Sequence, residues 1–137
     1  MIDDIILHKK ESIERCVKQI RDYYSRPSEI PFENDHFKQD AIAINIQRAA
    51  EQCIDLANHI IKVKKLGIPK ESRQVFVLLA QAGIITGDMS KLLQAMVGFR
   101  NILVHEYQEI ELKIMTDVIE NQLDELVRFT ICIMEAE

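Results

Sequence analysis

Residues 39–65 read QDAIAINIQRAAEQCIDLANHIIKVKK, and the fold turns on whether this stretch is strand or helix. Its first six apolar-rich residues, AIAINI at 41–46, alternate like a strand. Yet Ile42, Ile46, Ala49, Cys53, Leu56, Ile60 and Val63 recur by threes and fours over six turns. Strands seldom run so long, alanine favours helix, and no turn residue interrupts the pattern, so the spacing predicts one long amphipathic helix. Asn34 or Asp35 is placed to cap its start, after the turn RPSEIPFEND.

Working outward, the 4 glycines and 3 prolines fall mostly at three places, Pro27–Pro31, Leu66–Pro69 and Gly83–Gly87, leaving helix-sized segments between. The first segment carries Ile2, Ile5, Ile6, Ile13, Cys16, Val17, Ile20 and Tyr24 and should end near Ser25. A short third helix holds Val75, Phe76, Leu78 and Leu79. A fourth, with Asp88 placed to cap it, carries Met89, Leu93 and Met96. A last helix carries Leu112, Met115, Ile119, Leu123, Leu126 and Ile133. The expected fold is all-α, a single-domain antiparallel bundle of about five helices over residues 1–137.

Composition bounds the function. The 137 residues are 47% apolar and 28% charged. At this length a chain buries roughly 68–70% of its unfolded surface, enough for one self-sufficient core. The longest apolar run, Val75–Ala80, falls far short of the ~18 residues of a spanning helix, so no membrane association is expected. The opening MIDDIILHKK puts acids where a secretory signal has bases, so export is not expected either. Cys16, Cys53 and Cys132 are odd in number, scattered and set in apolar stripes. They read as core thiols in a reducing cytoplasm. The net charge of -5 excludes a protein that coats nucleic acid, but it is unevenly placed. Residues 106–137 hold 9 acids and 2 bases, leaving 15 bases and 13 acids before them.

The stripe of the fourth helix, continued in the same steps, runs Met89, Leu93, Met96, Arg100, Leu103, Tyr107 and so places a guanidinium where an apolar side chain belongs. An unpaired buried charge costs several kcal/mol, so Arg100 must be paired or must face a cleft or a subunit boundary. Gly98 adds to this, because a helical glycine costs about 1 kcal/mol against alanine, a cost that makes sense where another backbone or a ligand must approach closely. Asn101 and His105 share a neighbouring face. Arg100 and His105 stand about 140° apart on an ideal helix, so a dimer or a bend near His105 would unite them more readily than one straight helix. The alternative is an ion pair of Arg100 with Glu106 or Glu109, His105 capping the helix end and Tyr107 packing. Elsewhere, Glu33 and His36 have the spacing of a metal-ligand pair but lack a second copy, so no metal or cofactor is expected. Asp55 and His59 read as a surface pair. Lys62, Lys64, Lys65, Lys70, Arg73 and Lys91 form either a phosphate-tracking patch or a solvated helix end.

The string RNILVHEY, Arg100–Tyr107, resembles the R-x-x-x-x-H-x-Y signature of the HepT branch of the HEPN superfamily, with no departure at the motif. The flanking GIPKESRQVFVLLAQAGII at 67–85, MVGFRN at 96–101 and the order of helices are also similar to that family. The resemblance implies a homodimeric toxin of a type II or type VII-like toxin-antitoxin pair, acting on RNA as a metal-independent endoribonuclease. It implies Arg100 and His105 as catalytic residues, Asn101 in support, and a minimal nucleotidyltransferase antitoxin that silences the toxin by AMP transfer to Tyr107. The chemistry suits these residue types. Imidazole handles protons near neutrality, guanidinium matches phosphate oxygens bidentately, and attack by a 2′-hydroxyl would leave a 2′,3′-cyclic phosphate. The rival expectation is a non-catalytic nucleotide- or substrate-binding subunit of a nucleotidyltransferase.

Overall fold

A computed structural model describes residues 3–136, and among them every regular element is helical. The helices are α1 (Asp4–Ser25), α2 (His36–Lys64), α3 (Gln74–Gln81), α4 (Gly87–His105), α5 (Leu112–Asp117) and α6 (Leu123–Ala136). The last two are joined without a break by a π-helical turn, Val118–Gln122, so the bundle has five rods. Short 3-10 turns, Phe32–Asn34 and Tyr107–Glu109, precede α2 and follow α4.

Residues 39–64 do form helix. Asp35 caps α2 by accepting the Lys38 N–H at 3.1 Å, and Lys65 ends it in the left-handed conformation at φ 55°. Helix α2 buries Ile42, Ile46, Ala49, Cys53, Leu56 and Ile60 as the spacing requires, whereas Val63 is exposed in the last turn. It also buries Ala43, Ala50, Ile54, Ala57 and Ile61, a wider face than one stripe. That width follows from its neighbours, for α2 packs against α1, α3, α4 and α6.

Helix α1 runs antiparallel to α2, its start tied to the end of α2 by Asp3 with His59 (2.7 Å) and Lys9 with Asp55 (3.2 Å). Asp55 and His59 therefore do not pair with each other, since each is claimed by a partner on α1. The hydrogen bond from His59 holds the Asp3 carboxyl below its ordinary range, helped by the Ile6 N–H that Asp3 also caps. The far end of α1 meets the π turn and α6 through Tyr24 with Glu120 and Arg21 with Asp124. Exposed pairs of this kind contribute about 0–1 kcal/mol each, so they set registry more than stability. Ile2, assigned above to the first stripe, lies outside the described residues, and Ile5 is half exposed.

The fourth helix begins two residues earlier than expected. Thr86, not Asp88, is the cap, its hydroxyl accepting the Met89 N–H at 3.1 Å, while Asp88 sits in the first turn where its charge suits the helix dipole. Ser90 donates to the Phe76 carbonyl at 3.0 Å, fastening α4 to α3. In the last rod, Asp117 accepts from both Asn121 and Gln122, at 2.8 and 2.7 Å, across the π turn. The extra residue there keeps Met115, Val118 and Ile119 on the core side together with Leu123, Leu126, Phe129 and Ile133. Cys16 and Cys53 are buried free thiols and Cys132 is half-buried.

Phe129 is fully buried and meets Phe76 edge to face with ring centroids 5.7 Å apart, joining the last rod to α3. Phe129→Ala should lower unfolding free energy by about 3–5 kcal/mol, read as a reduced urea midpoint with little change in slope.

Candidate functional site

Helix α4 carries Arg100–His105 of the motif on its last two turns. Met89, Leu93, Met96, Val97, Phe99 and Leu103 are buried, and the Arg100 side chain, 18% exposed, lies among them on the side facing α2. Its Nη1 approaches Glu51 Oε2 of α2 at 4.0 Å, and its buried Nε has no hydrogen-bond partner among the described residues. The ion pairs with Glu106 or Glu109 considered above do not form, because both acids lie beyond the end of α4. A 4.0 Å approach is too long for a hydrogen bond, so Glu51 supplies charge compensation without saturating the guanidinium.

His105 is the last residue of α4 and is exposed. Glu106 leaves the helical region at φ −139°, ψ 43° while its N–H still reaches the Ile102 carbonyl at 2.8 Å. The sequence accounts for the stop: Glu106, Glu109 and Glu111 would crowd the negative end of the helix dipole, whereas the imidazole of His105 suits it. The expected continuation of the stripe to Tyr107 is therefore wrong. Tyr107 begins the following 3-10 turn and no longer shares a face with Arg100.

Instead Tyr107 donates its hydroxyl to Asp40, near the start of α2 and 67 residues away. Partial burial pushes the Tyr107 phenol well above its ordinary range, and the Asp40 carboxylate, as hydrogen-bond acceptor and as a like charge, adds to the rise. The two line a cavity of about 380 Å³ with Glu33, His36 and Gln108. The structure thus brings the Glu33 and His36 pair to Tyr107. Among the described residues no group of three or more His, Cys, Asp or Glu side chains is placed to hold a metal.

Asn101 is exposed and lines a second cleft, with Glu71, Ser72, Arg73 and Val97, on the side of α4 away from Arg100. Gly98 has its explanation here: a Cβ at this position would stand 2.7 Å from Nη2 of Arg73, so the group that approaches the helix is a side-chain guanidinium rather than a backbone. Within one chain, then, Arg100 is turned toward α2, while Asn101 lies toward α3 and His105 stands at the open end of the helix on the Asn101 side. Asp40, Glu51 and the position of Arg73 were not deduced from sequence. Gly98 was the one local signal, and the neighbour it was expected to admit, another backbone or a ligand, is instead the Arg73 side chain.

A family model described as ribonuclease HepT-like matches residues 13–133. The chain is 44% identical over 136 residues to the mRNA nuclease HepT of Shewanella oneidensis, a match covering 99% of this chain and 100% of that protein. Among solved structures, the tri-AMPylated Shewanella oneidensis HEPN toxin in complex with its MNT antitoxin is similar at a TM-score of 0.91 and 43% identity, covering 99% of this chain and 100% of that one. A toxin-antitoxin structure with AMP-PNP is similar at a TM-score of 0.91 and 43% identity, covering 98% and 100%. The match spans all six helices and includes the unbroken Arg100–Tyr107 motif, and the chain belongs to the HepT-like ribonuclease family.

Proposed function

We propose that this chain is the endoribonuclease toxin of a toxin-antitoxin pair, cutting RNA in the cytoplasm without a metal ion and neutralised by a minimal nucleotidyltransferase. The observation that carries this reading is the end of α4, where an incompletely partnered guanidinium at Arg100 precedes an exposed His105 by five residues. A packing residue would be better paired, and a helix cap would not need the arginine. The 44%-identical Shewanella relative, an mRNA nuclease, supports the same chemistry.

In this mechanism His105 takes the proton of an RNA 2′-hydroxyl. The 2′-oxygen bonds to the adjacent phosphorus, the bond from phosphorus to the 5′-oxygen breaks, and the products are a 2′,3′-cyclic phosphate and a free 5′-hydroxyl. Arg100 neutralises charge on the phosphorane, where a donor aimed at developing charge counts most. Because α4 directs Arg100 and His105 to different sides, a second copy of the chain completes the site, its acid protonating the leaving oxygen. Asn101 orients the substrate. The homodimer would carry a net charge of -10, so binding depends on a local cleft rather than on the overall field.

AMP transfer to Tyr107 by the antitoxin would add bulk and a phosphodiester charge two residues from His105, both opposed to entry of RNA. The supporting geometry is the separate placement of Tyr107 in its own turn, with its hydroxyl directed to Asp40.

Parent protein should cut RNA undiminished in EDTA, while His105→Ala and Arg100→Ala each lose about 10²–10⁴-fold and Asn101→Ala loses less. His105→Ala cutting at the parent rate would falsify the mechanism. Co-expression with a minimal nucleotidyltransferase should raise the intact mass by whole AMP units, and Tyr107→Phe should gain none. In a spectrophotometric titration two phenolates, those of Tyr24 and Tyr107, should appear above the ordinary tyrosine range, and Asp40→Asn should bring the Tyr107 step down. An unchanged titration would show that Asp40 does not hold the hydroxyl.

A further inference from the structure

Arg73 stands just before α3, and its guanidinium lies against α4 at Gly98. Gly98, Asn101 and His105 follow one another at i, i+3 and i+7, so they share one face of α4. The guanidinium is thus laid on the same face as the proposed general base, two helical turns below it. Both Arg73 and Asn101 line a cleft of about 420 Å³ with Glu71, Ser72 and Val97. None of the ion pairs among the described residues includes Arg73, although Glu71 lines the same cleft, and Arg73 is exposed.

A helical glycine that keeps room for an arginine needs a reason. If Arg73 were a solvated surface charge, an alanine at position 98 would push the end of a flexible side chain aside at little cost and would improve the helix. What the glycine preserves is the position of the guanidinium beside Asn101. That position suits a phosphate, because a planar cation with free donors recognises two phosphate oxygens at once, and Ser72 and Asn101 add neutral donors.

We infer that Arg73, seated on Gly98 and bordering Asn101, binds a backbone phosphate of the RNA next to the one being cleaved. The inference rests on the nuclease reading above. It makes Arg73 a binding residue that sets substrate affinity and register, with Arg100 left to the reacting phosphate.

The test uses full-length protein and two probes: a cleavable mixed-sequence single-stranded oligoribonucleotide for kinetics, and its fully 2′-O-methylated form, which lacks the attacking hydroxyl, for binding by fluorescence anisotropy. Arg73→Ala should raise KM and Kd by about tenfold with a much smaller change in kcat, and should reduce the slope of log affinity against log salt by about 1 per chain. Arg73→Lys should recover part of the affinity. Gly98→Ala should weaken binding in the same direction while leaving thermal stability equal or higher, a combination that damage to the fold cannot produce. Unchanged Kd and salt slope in Arg73→Ala, or Gly98→Ala binding as tightly as the parent, would overturn the assignment. A parent chain that binds the methylated probe but never cuts the cleavable one removes the nuclease reading and leaves Arg73 judged on binding alone. A parent that binds neither removes both.

Discussion

The places of α1, α3, α4 and α6 follow from the burial of α2. A helix that faces one layer needs a single apolar stripe, but Ala43, Ala50, Ile54, Ala57 and Ile61 extend the buried face of α2 well beyond the Ile42–Ile60 row. Four of the other helices share that surface. Alanines at 43, 49, 50 and 57 let neighbours come near, and the isoleucines between them fill the remaining space. Stability in such a bundle comes from this packing rather than from its exposed ion pairs, whose role is to fix which end of each helix meets which.

The same helix also sets the chemistry of α4. It presents Glu51 to Arg100 and Asp40 to Tyr107, so two residues of the RNILVHEY motif are held by carboxylates of one rod. The two contacts differ in kind. Glu51 stands at 4.0 Å and leaves the guanidinium unsaturated, whereas Asp40 engages the phenol directly and adds to the rise in its pKa that burial causes. An arginine left short of partners retains donors for a phosphate, and a tyrosine held by its hydroxyl presents that oxygen at a fixed point of the surface.

Much of this was legible in the sequence because helix periodicity and turn residues are local properties. The α2 stripe, the break at Leu66–Pro69, the misfit of Arg100 and the crowding implied by Gly98 all follow from neighbours within a few positions. The errors arose where a second element decided the outcome. Asp88 and Thr86 are both competent caps, and the choice depends on how the loop arrives from α3. Asp55 and His59 look like partners until α1 supplies Lys9 and Asp3. Tyr107 fits the α4 stripe by arithmetic, yet the acids after His105 end the helix before it is reached. The Asp40 and Glu51 contacts span 67 and 49 residues, and no periodicity within one segment encodes them.

The π turn at Val118–Gln122 bears on how this last rod tolerates changes in length. A single π turn amounts to one residue more than an α-helix needs to cover the same rise, and here Asp117 absorbs the surplus by bonding to both Asn121 and Gln122. Deleting one residue between 118 and 122 would return the rod to plain α geometry with Met115 on one side and Leu126 on the other still facing the core. Deletion within α6 ahead of Ile133 would rotate everything beyond it by about 100° and swing Ile133 out of the interior. The rod thus carries one position at which the chain can shorten without losing register.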